Sequence, residues 1–558
     1  MIVLKRNFFR KFLPVTSSYS ILVLITLFLL TLVTFLPRVG FSQHGNFHLS
    51  IVGQIINGFV PPEHVCLAGM SINYPWGYHF FFALLYKITR VNPILLNQLL
   101  NLLFFFGFSF FVVKANQLLF KKSRTRNLAI LLTIFGLNLL GGFILFYHLS
   151  RSFPESIFRY SNPYILLSKM SYLIDSRYNS IISKFFNFTP YVAGVFLVSV
   201  YFFLAVKIIR SLVLSRFDLF SFFFVLVLAL FIHPLSALFI LAILFPSLIF
   251  HLKLNRLKLK SVCALALTHF MAILVAFSYL KSISGNTFFI KLYPSFKALF
   301  SLLQIYPLHW LVLFMALFKI VSRPLFVKKY FFLLSVVFLS VLFVTLIRLP
   351  DGTEYKTAHL MTLAMSPLVV ILFSKYFRQF IKPITRLVFF LAVINLVFLT
   401  TAYFFTQWAQ PKNWSLFSFV HHPIDNLSNP LRIDETRFEL DSFDLRTNFY
   451  PAKNRQVFEY LKRESEPQDI IVTANDHLFD LRTGFLSQRR VWVADCPPHT
   501  DGYLAFQQRL DFLEDLSPDS LHRIKSEFPD NNIFIVTDQL LSSPDLFYQA
   551  GDVYIYKL

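Results

Sequence analysis

The sequence predicts a polytopic α-helical membrane protein with a small extracytoplasmic α/β domain at its C-terminal end. Three observations predict this class. The chain is 56% hydrophobic and only 15% charged over 558 residues, with a mean hydropathy of +0.60, which is too apolar for a soluble protein of this size. Crossing a bilayer core takes roughly 20 apolar residues per helix, and about eleven runs of that kind precede residue 407. Beyond them the charge balance inverts: residues 1–406 hold six of the 29 acids and 37 of the 52 Lys and Arg, whereas residues 407–558 hold 23 acids and 15 bases. The overall net charge of +23 is therefore not one basic surface, and a nucleic-acid-binding function, which needs a basic face on a folded domain, gets no support. The division expected is a transmembrane domain over 1–406, with a first outer loop at 38–92, followed by an α/β domain over 407–558.

The positive-inside rule sets the order of the spans. Lys5, Arg6, Arg10 and Lys11 precede an apolar run at 20–37 that is too long for a signal-peptide core and lacks a small-residue cleavage site, so it reads as a retained signal-anchor helix with its N-terminus in the cytoplasm. A second helix at 93–113 returns to Lys114, Lys121, Lys122, Arg124 and Arg126. A third, at 128–148, leads to a polar and aromatic loop through Pro190, and a fourth comes back to Lys207, Arg210 and Arg216. Short arms at 219–232 and 235–250 form a hairpin about His233 and Pro234 that is the weakest element of the pattern. Helices at 262–280, before Lys319, at 330–347, at 357–374 and at 387–405 complete the set. Every expected inner loop is basic, and of the six acids in this part only Asp218 falls inside. An odd number of spans keeps that alternation, so eleven is preferred to ten or twelve.

In the C-terminal part, the strand-like runs IIVTA (470–474), VWVA (491–494), NIFIVTD (532–538) and DVYIYKL (552–558) alternate with amphipathic stretches at 454–464 and after Ser517-Pro518, the latter a good N-cap followed by Pro at the first helical position. Apolar strands separated by helices predict a largely parallel sheet. The three cysteines, Cys66, Cys263 and Cys496, have no metal-site or disulfide-framework spacing. A Cys66–Cys496 bridge is open to the chain if both lie outside, but free thiols are the expectation.

Two stretches concentrate chemistry. The first outer loop, from Phe41 to His79, gathers His44, His48, Glu63, Tyr74, Trp76, Tyr78 and His79. His44 and His48 are four apart and share a helix face, a metal-ligand spacing that interfacial histidines also show. The run from Phe47 to Phe59 suits a helix lying along the membrane surface, and YPWGYH suits either an interfacial aromatic belt or the roof of a polar cavity. The second stretch, RLPDGTEYKTAH (348–359), holds the scarce acids Asp351 and Glu354 beside Arg348, Tyr355, Lys356 and His359. It reads as a solvated turn, or as a cationic seat for a lipid phosphate where water is partly excluded.

The pattern FHLSIVGQIINGFVPPEHVCLAGMSINYPWGYHFFFALL resembles the first outer loop of integral-membrane glycosyltransferases of the C superfamily (GT-C), which use polyprenyl-phosphate-linked sugars. EYKTAHLMTLAMSPL resembles their late Tyr-Lys helix, and PAKNRQVFEYLKRESEPQDIIVT resembles the start of their outer α/β domain. The resemblance implies a GT-C-like fold and an inverting sugar transfer on the outer face of a bacterial plasma membrane. The partners it implies are a lipid-linked sugar donor, a glycan, lipid or protein acceptor, and membrane lipid. It also implies catalytic roles drawn from Glu63, His44, His48, Asp351 and Glu354. Contacts to donor or sugar fall to Tyr74, Trp76, Tyr78, His79, Arg348, Tyr355 and Lys356, and a divalent cation (Mg or Mn) would sit near His44 and His48. One departure stands out. The hallmark acid of the family, expected just before Phe47-His48, is absent from Ser42-Gln43-His44-Gly45-Asn46. Either His44 takes its place, or Glu63 or an acid of the 348–359 stretch does, or activity has been lost and the chain binds glycan or lipid. A transporter, the rival class, places ionisable groups at the bilayer midplane; His269 is the candidate there, and a core histidine is the commoner explanation.

Overall fold

The computed structural model describes residues 26, 43–91, 93–136, 138, 181–186, 188–255, 257–284, 291–321, 324–349, 353–408, 452–474, 487, 489–493, 508–509, 513, 516–541 and 546–558. The first outer loop folds as helix α1 (Gln43–Ile56), a hairpin of β1 (Glu63–His64) and β2 (Leu67–Ser71), and helix α2 (Gly77–Thr89). The membrane part continues with α3 (Pro93–Leu119), α4 (Ser123–Phe135), a 3₁₀ turn (Ile181–Phe186), α5 (Tyr191–Ser211), α6 (Arg216–Ile232), α7 (Pro234–Leu254), α8 (Leu259–Ser284), β3 (Lys291–Leu292), α9 (Phe296–Ile305) and α10 (Pro307–Val321). It ends with α11 (Pro324–Leu346), β4 (Ile347–Arg348), α12 (Tyr355–Tyr376) and α13 (Ile381–Trp408).

The chain is a multi-pass membrane protein. Among the described residues, seven helices are long and apolar enough to span a bilayer, or eight if α9 and α10 form one span. That pair bends by 97° at Tyr306, because the Pro307 ring disfavours helical geometry in the residue before it. The eleven expected spans are thus not all seen: residues 20–37, Thr26 apart, and 139–148 lie outside the described residues, and α6, at 17 residues, is short. The His233 hairpin does form, with α7 containing a π turn at Ile240–Leu244. Asp218, the acid that broke the charge alternation, is accounted for locally. It closes a capping box with Ser215 at the start of α6 and receives the Lys207 ammonium at 2.6 Å, satisfying the first-turn amides and favouring a negative charge at a helix N-terminus.

Helix α12 is the central post, buried from Thr357 to Phe373. Small residues let helices pack closely at the end of the bundle where α12 begins. A Cβ at Gly194 of α5 would meet Ser236 Oγ at 2.3 Å, and one at Gly77 of α2 would meet the Phe231 carbonyl oxygen at 2.2 Å.

The C-terminal part comprises α14 (Ala452–Glu464), β5 (Ile470–Thr473), β6 (Arg490–Val491), α15 (Pro518–Glu527), β7 (Ile533–Thr537), β8 (Leu546–Ala550) and β9 (Val553–Lys557), with strand order β6-β5-β7-β9-β8. β5 is parallel to β6 and β7, whereas β9 is antiparallel to β7 and β8. The sheet is therefore mixed, not largely parallel. β8 joins β9 through a tight turn at Gly551 (φ 63°), and so short a connection makes only antiparallel pairs. The uniformly apolar strands follow from burial on both faces. Ile471, Phe534 and Val536 pack with Val457 and Leu461 of α14, while Ile470, Val472 and Ile533 join the main core on the other side. Ser517 caps α15 ahead of Pro518, as expected.

Candidate functional site

The first half of the site is built on α1 and α2. His48 and His79 are both fully buried, with His48 Nδ1 2.9 Å from His79 Nε2 and their rings stacked at 5.0 Å. A neutral pair in that contact has one ring donating and the other accepting, so the two tautomers are coupled. Tyr74 closes over both rings, at 5.8 Å from His48 and 5.9 Å from His79. Trp76 packs edge-on against Tyr279, whose hydroxyl accepts the Gly77 N–H at 2.9 Å. Tyr78 takes a different place from the one expected of a sugar-stacking ring. It is wholly buried among Phe82 and Phe188, and that apolar burial pushes its phenol above the usual tyrosine range.

The second half lies at the start of α12. Tyr191 donates its hydroxyl to the Lys356 carbonyl (3.1 Å) and Tyr306 donates to the Ala358 carbonyl (2.7 Å), fixing the first turn. The Lys356 ammonium then lies over the Tyr191 ring at 5.4 Å and 3.4 Å from His233 Nε2. The Ser236 N–H donates to His233 Nδ1 at 3.1 Å, and Ser236 Oγ lies 2.8 Å from the same nitrogen, so Nδ1 is an acceptor and His233 caps the start of α7. Burial, then the Lys356 charge, holds this turn imidazole well below the usual histidine range. His359 sits against Tyr355 and Tyr191, and Lys184 lies over the Tyr355 ring.

The segment 188–191 brings the two halves together. Phe188 contacts His48 at 5.6 Å, and three residues later Tyr191 contacts His233 at 5.3 Å. Three residues of chain reach at most roughly 11 Å, so the imidazole pair and the Lys356 seat flank one turn of backbone. Asn101 of α3 anchors the preceding 3₁₀ turn by donating to the Phe185 carbonyl at 2.8 Å.

The described candidate carboxylates, Glu63 and Glu354, are engaged elsewhere. Both oxygens of Glu63 take the Arg490 guanidinium, at 2.8 and 3.0 Å, and Gly69 N–H adds a further bond at 3.0 Å. Glu63 thereby ties the β1–β2 hairpin to the C-terminal sheet. Arg509 reinforces the tie by donating to the carbonyls of Ala68 and Trp492. Glu354, almost fully buried, pairs with Arg348, which also donates to Ser295 Oγ at 2.7 Å. Arg348 thus pins the β3–β4 connection, and its face lies 5.8 Å from the Tyr293 ring. Asp351 and the His44 side chain lie outside the described residues, although His44 itself falls within α1, one turn before His48. Among the described residues, no group of three or more His, Cys, Asp and Glu converges as a metal site. Cys66 is disulfide-bonded while Cys263 is free, which corrects the expectation of free thiols and leaves Cys496, itself outside the described residues, as the third cysteine of the chain. His269 accounts for itself within the core, bonded to the Tyr201 hydroxyl and the Leu265 carbonyl at 2.8 Å each.

His233, Tyr191 and Asn101 were not singled out from the sequence. Only Lys356, a cation of the 348–359 stretch, hinted at a partner, and that partner lies 123 residues away in the chain.

These elements, a first loop with a hairpin and a helix buried from Phe47 to Ile55 rather than lying along a surface, a bundle of spanning helices and an α/β domain clamped on the loop, make a GT-C-like membrane fold. The crystal structure of ArnT from Cupriavidus metallidurans bound to undecaprenyl phosphate is similar over 97% of this chain and 98% of that chain, at a TM-score of 0.50 and 8% identity. The structure of the Archaeoglobus fulgidus oligosaccharyltransferase tethered with an acceptor peptide matches 92% of this chain and 68% of that one, at a TM-score of 0.39 and 12% identity. No protein-family model matches the sequence, and no curated protein matches it.

Proposed function

We propose that this protein is a membrane glycosyltransferase that moves a sugar from a polyprenyl-phosphate donor to an acceptor hydroxyl at the outer face of a bacterial plasma membrane. The observation that carries the reading is the meeting of a cation seat, Lys356 on Tyr191 and His233, with the His48–His79 pair across residues 188–191. The likeness in fold to ArnT, which binds undecaprenyl phosphate, supports it. Two features support the orientation: the basic loops on one side of the bundle, and a disulfide at Cys66, since such bonds persist outside the cytoplasm.

In the reaction the acceptor oxygen attacks the anomeric carbon, forming the new C–O bond as the bond to the donor phosphate breaks with inversion. The phosphate leaves with the electron pair, and the fixed charge of Lys356 stabilises it. His44, on the face of α1 shared with His48, takes the acceptor proton, while the His48–His79 contact holds that face in register. Tyr74 and Trp76 cover the sugar.

The test is transfer from a polyprenyl-phosphate sugar by purified protein in nanodiscs. Lys356→Met should lower turnover by about 10²–10³ and His44→Ala by about 10²–10⁴. Wild-type rates in both variants would sink the assignment. The ion pairs that hold Glu63 and Glu354 favour a second reading, a catalytically inactive relative that binds the lipid-linked glycan. Donor binding that Lys356→Met weakens, with no turnover in the wild type across acceptors, would establish that reading instead.

A further inference from the structure

At the end of the bundle opposite this site lies a cavity of about 800 Å³. It opens where α3 ends, α4 begins, α11 begins and α12 gives way to α13. α12 rises 1.5 Å per residue, so Lys375 in the cavity is roughly 28 Å from Lys356, close to the thickness of a bilayer core. The walls are apolar, with Leu119, Phe120, Phe326 and Ile371 among them, and the rim carries Lys121, Lys122, Lys329, Lys375 and Arg378 without a single acidic residue. The Lys375 ammonium lies 4.8 Å from the Phe326 ring and 5.6 Å from that of Tyr376. Tyr330 breaks the geometry of α11 (φ −110°, ψ 16°), so the first turn of that helix is offset from the remainder and forms one wall of the cavity.

We infer that this cavity is a binding site for an anionic phospholipid of the leaflet opposite the candidate active site, its phosphodiester seated on the five basic residues and an acyl chain on the apolar wall. Charge complementarity argues for that occupant. Five cations converge on one concave surface in a membrane domain with only six acids, and none of the residues lining the cavity is a carboxylate. A charged phosphate paired with several cations at a membrane interface is strongly favoured, and a cavity with apolar walls beneath a basic rim matches a lipid rather than a soluble anion. Basic residues near an inner membrane face are common. These five differ in lining one cavity together, on the same concave surface as its apolar wall.

Native mass spectrometry of the purified full chain, released from nanodiscs of phosphatidylglycerol or of phosphatidylcholine, tests the site. The wild type should retain one phosphatidylglycerol and no phosphatidylcholine. Replacing Lys121, Lys122, Lys329, Lys375 and Arg378 together by Gln should reduce retention by at least about tenfold. The charge-preserving Ser374→Trp, which fills the cavity, should do the same, and it keeps the test informative if the five-fold variant does not fold. A control with Lys253, Lys258 and Lys260 changed to Gln should retain lipid like the wild type. Equal loss in that control, equal retention of phosphatidylcholine, or displacement by added inorganic phosphate would overturn the inference. Transfer activity does not enter the readout, so the outcome is independent of the proposed reaction.

Discussion

His233 shows how one side chain can set the pH behaviour of the site. The folded protein holds its imidazole below the range of the unfolded chain, so on acidification protons bind the unfolded state first. His233 therefore costs no stability above the unfolded value of 6.5 and destabilises the fold progressively as the pH falls below it. The stability gap between wild type and His233→Gln should narrow from about pH 8 to about pH 5, measured as thermal midpoints in one lipid composition. A gap that stays constant or widens would refute the buried, neutral imidazole. Gly77 makes a different demand. With the Phe231 carbonyl 2.2 Å from where its Cβ would stand, Gly77→Ala must push α2 away from the His233 hairpin. An overpacking cost of about 1–3 kcal/mol is expected, read as a lowered thermal midpoint. Neither residue announced its role in the sequence. His233 was legible as the tip of a hairpin, but the Lys356 contact depends on how α5, α6 and α12 pack. Tyr74 and Tyr78 looked alike in YPWGYH, and only the start of α2 between them sends one to the imidazole pair and the other into the apolar core.

At the scale of elements, the β1–β2 hairpin belongs as much to the C-terminal domain as to the membrane part. The Glu63–Arg490 pair is largely shielded, with 24% and 9% of the side chains exposed, so losing one partner leaves a poorly solvated charge behind. Glu63→Gln and Arg490→Gln should each destabilise the docked domain by about 1–3 kcal/mol, and the double variant should be less damaging than the sum of the singles. Limited proteolysis reports it as faster cleavage of the C-terminal part, and additive effects would show that the pair is incidental. Cys66→Ser should act in the same direction, by about 2–5 kcal/mol in the same assay. Glu63 was conspicuous in the sequence because acids are scarce, and conspicuousness suggested chemistry. Its structural use was not legible because the partner stands 427 positions away. Strand β8 (LFYQA) was missed for a local reason: an edge strand with four of its five residues not buried lacks the apolar run that marked the others.

For the molecule as a whole, the architecture was readable because the bilayer imposes coarse rules: runs of a minimum length, basic loops on one side and a change of composition where the chain leaves the membrane. The two clusters that flank residues 188–191 were each recognisable from rare polar residues in an apolar chain. Their meeting was not, since it depends on the fold of α2, α5 and α12 together. The same interlocking bears on how the protein is made. Glu63 leaves the ribosome 427 residues ahead of Arg490, an interval of about 20 to 90 seconds at ordinary rates of translation. For that time the β1–β2 hairpin exists without the strand that clamps it. The hairpin is therefore held in working shape only after β6 has been made.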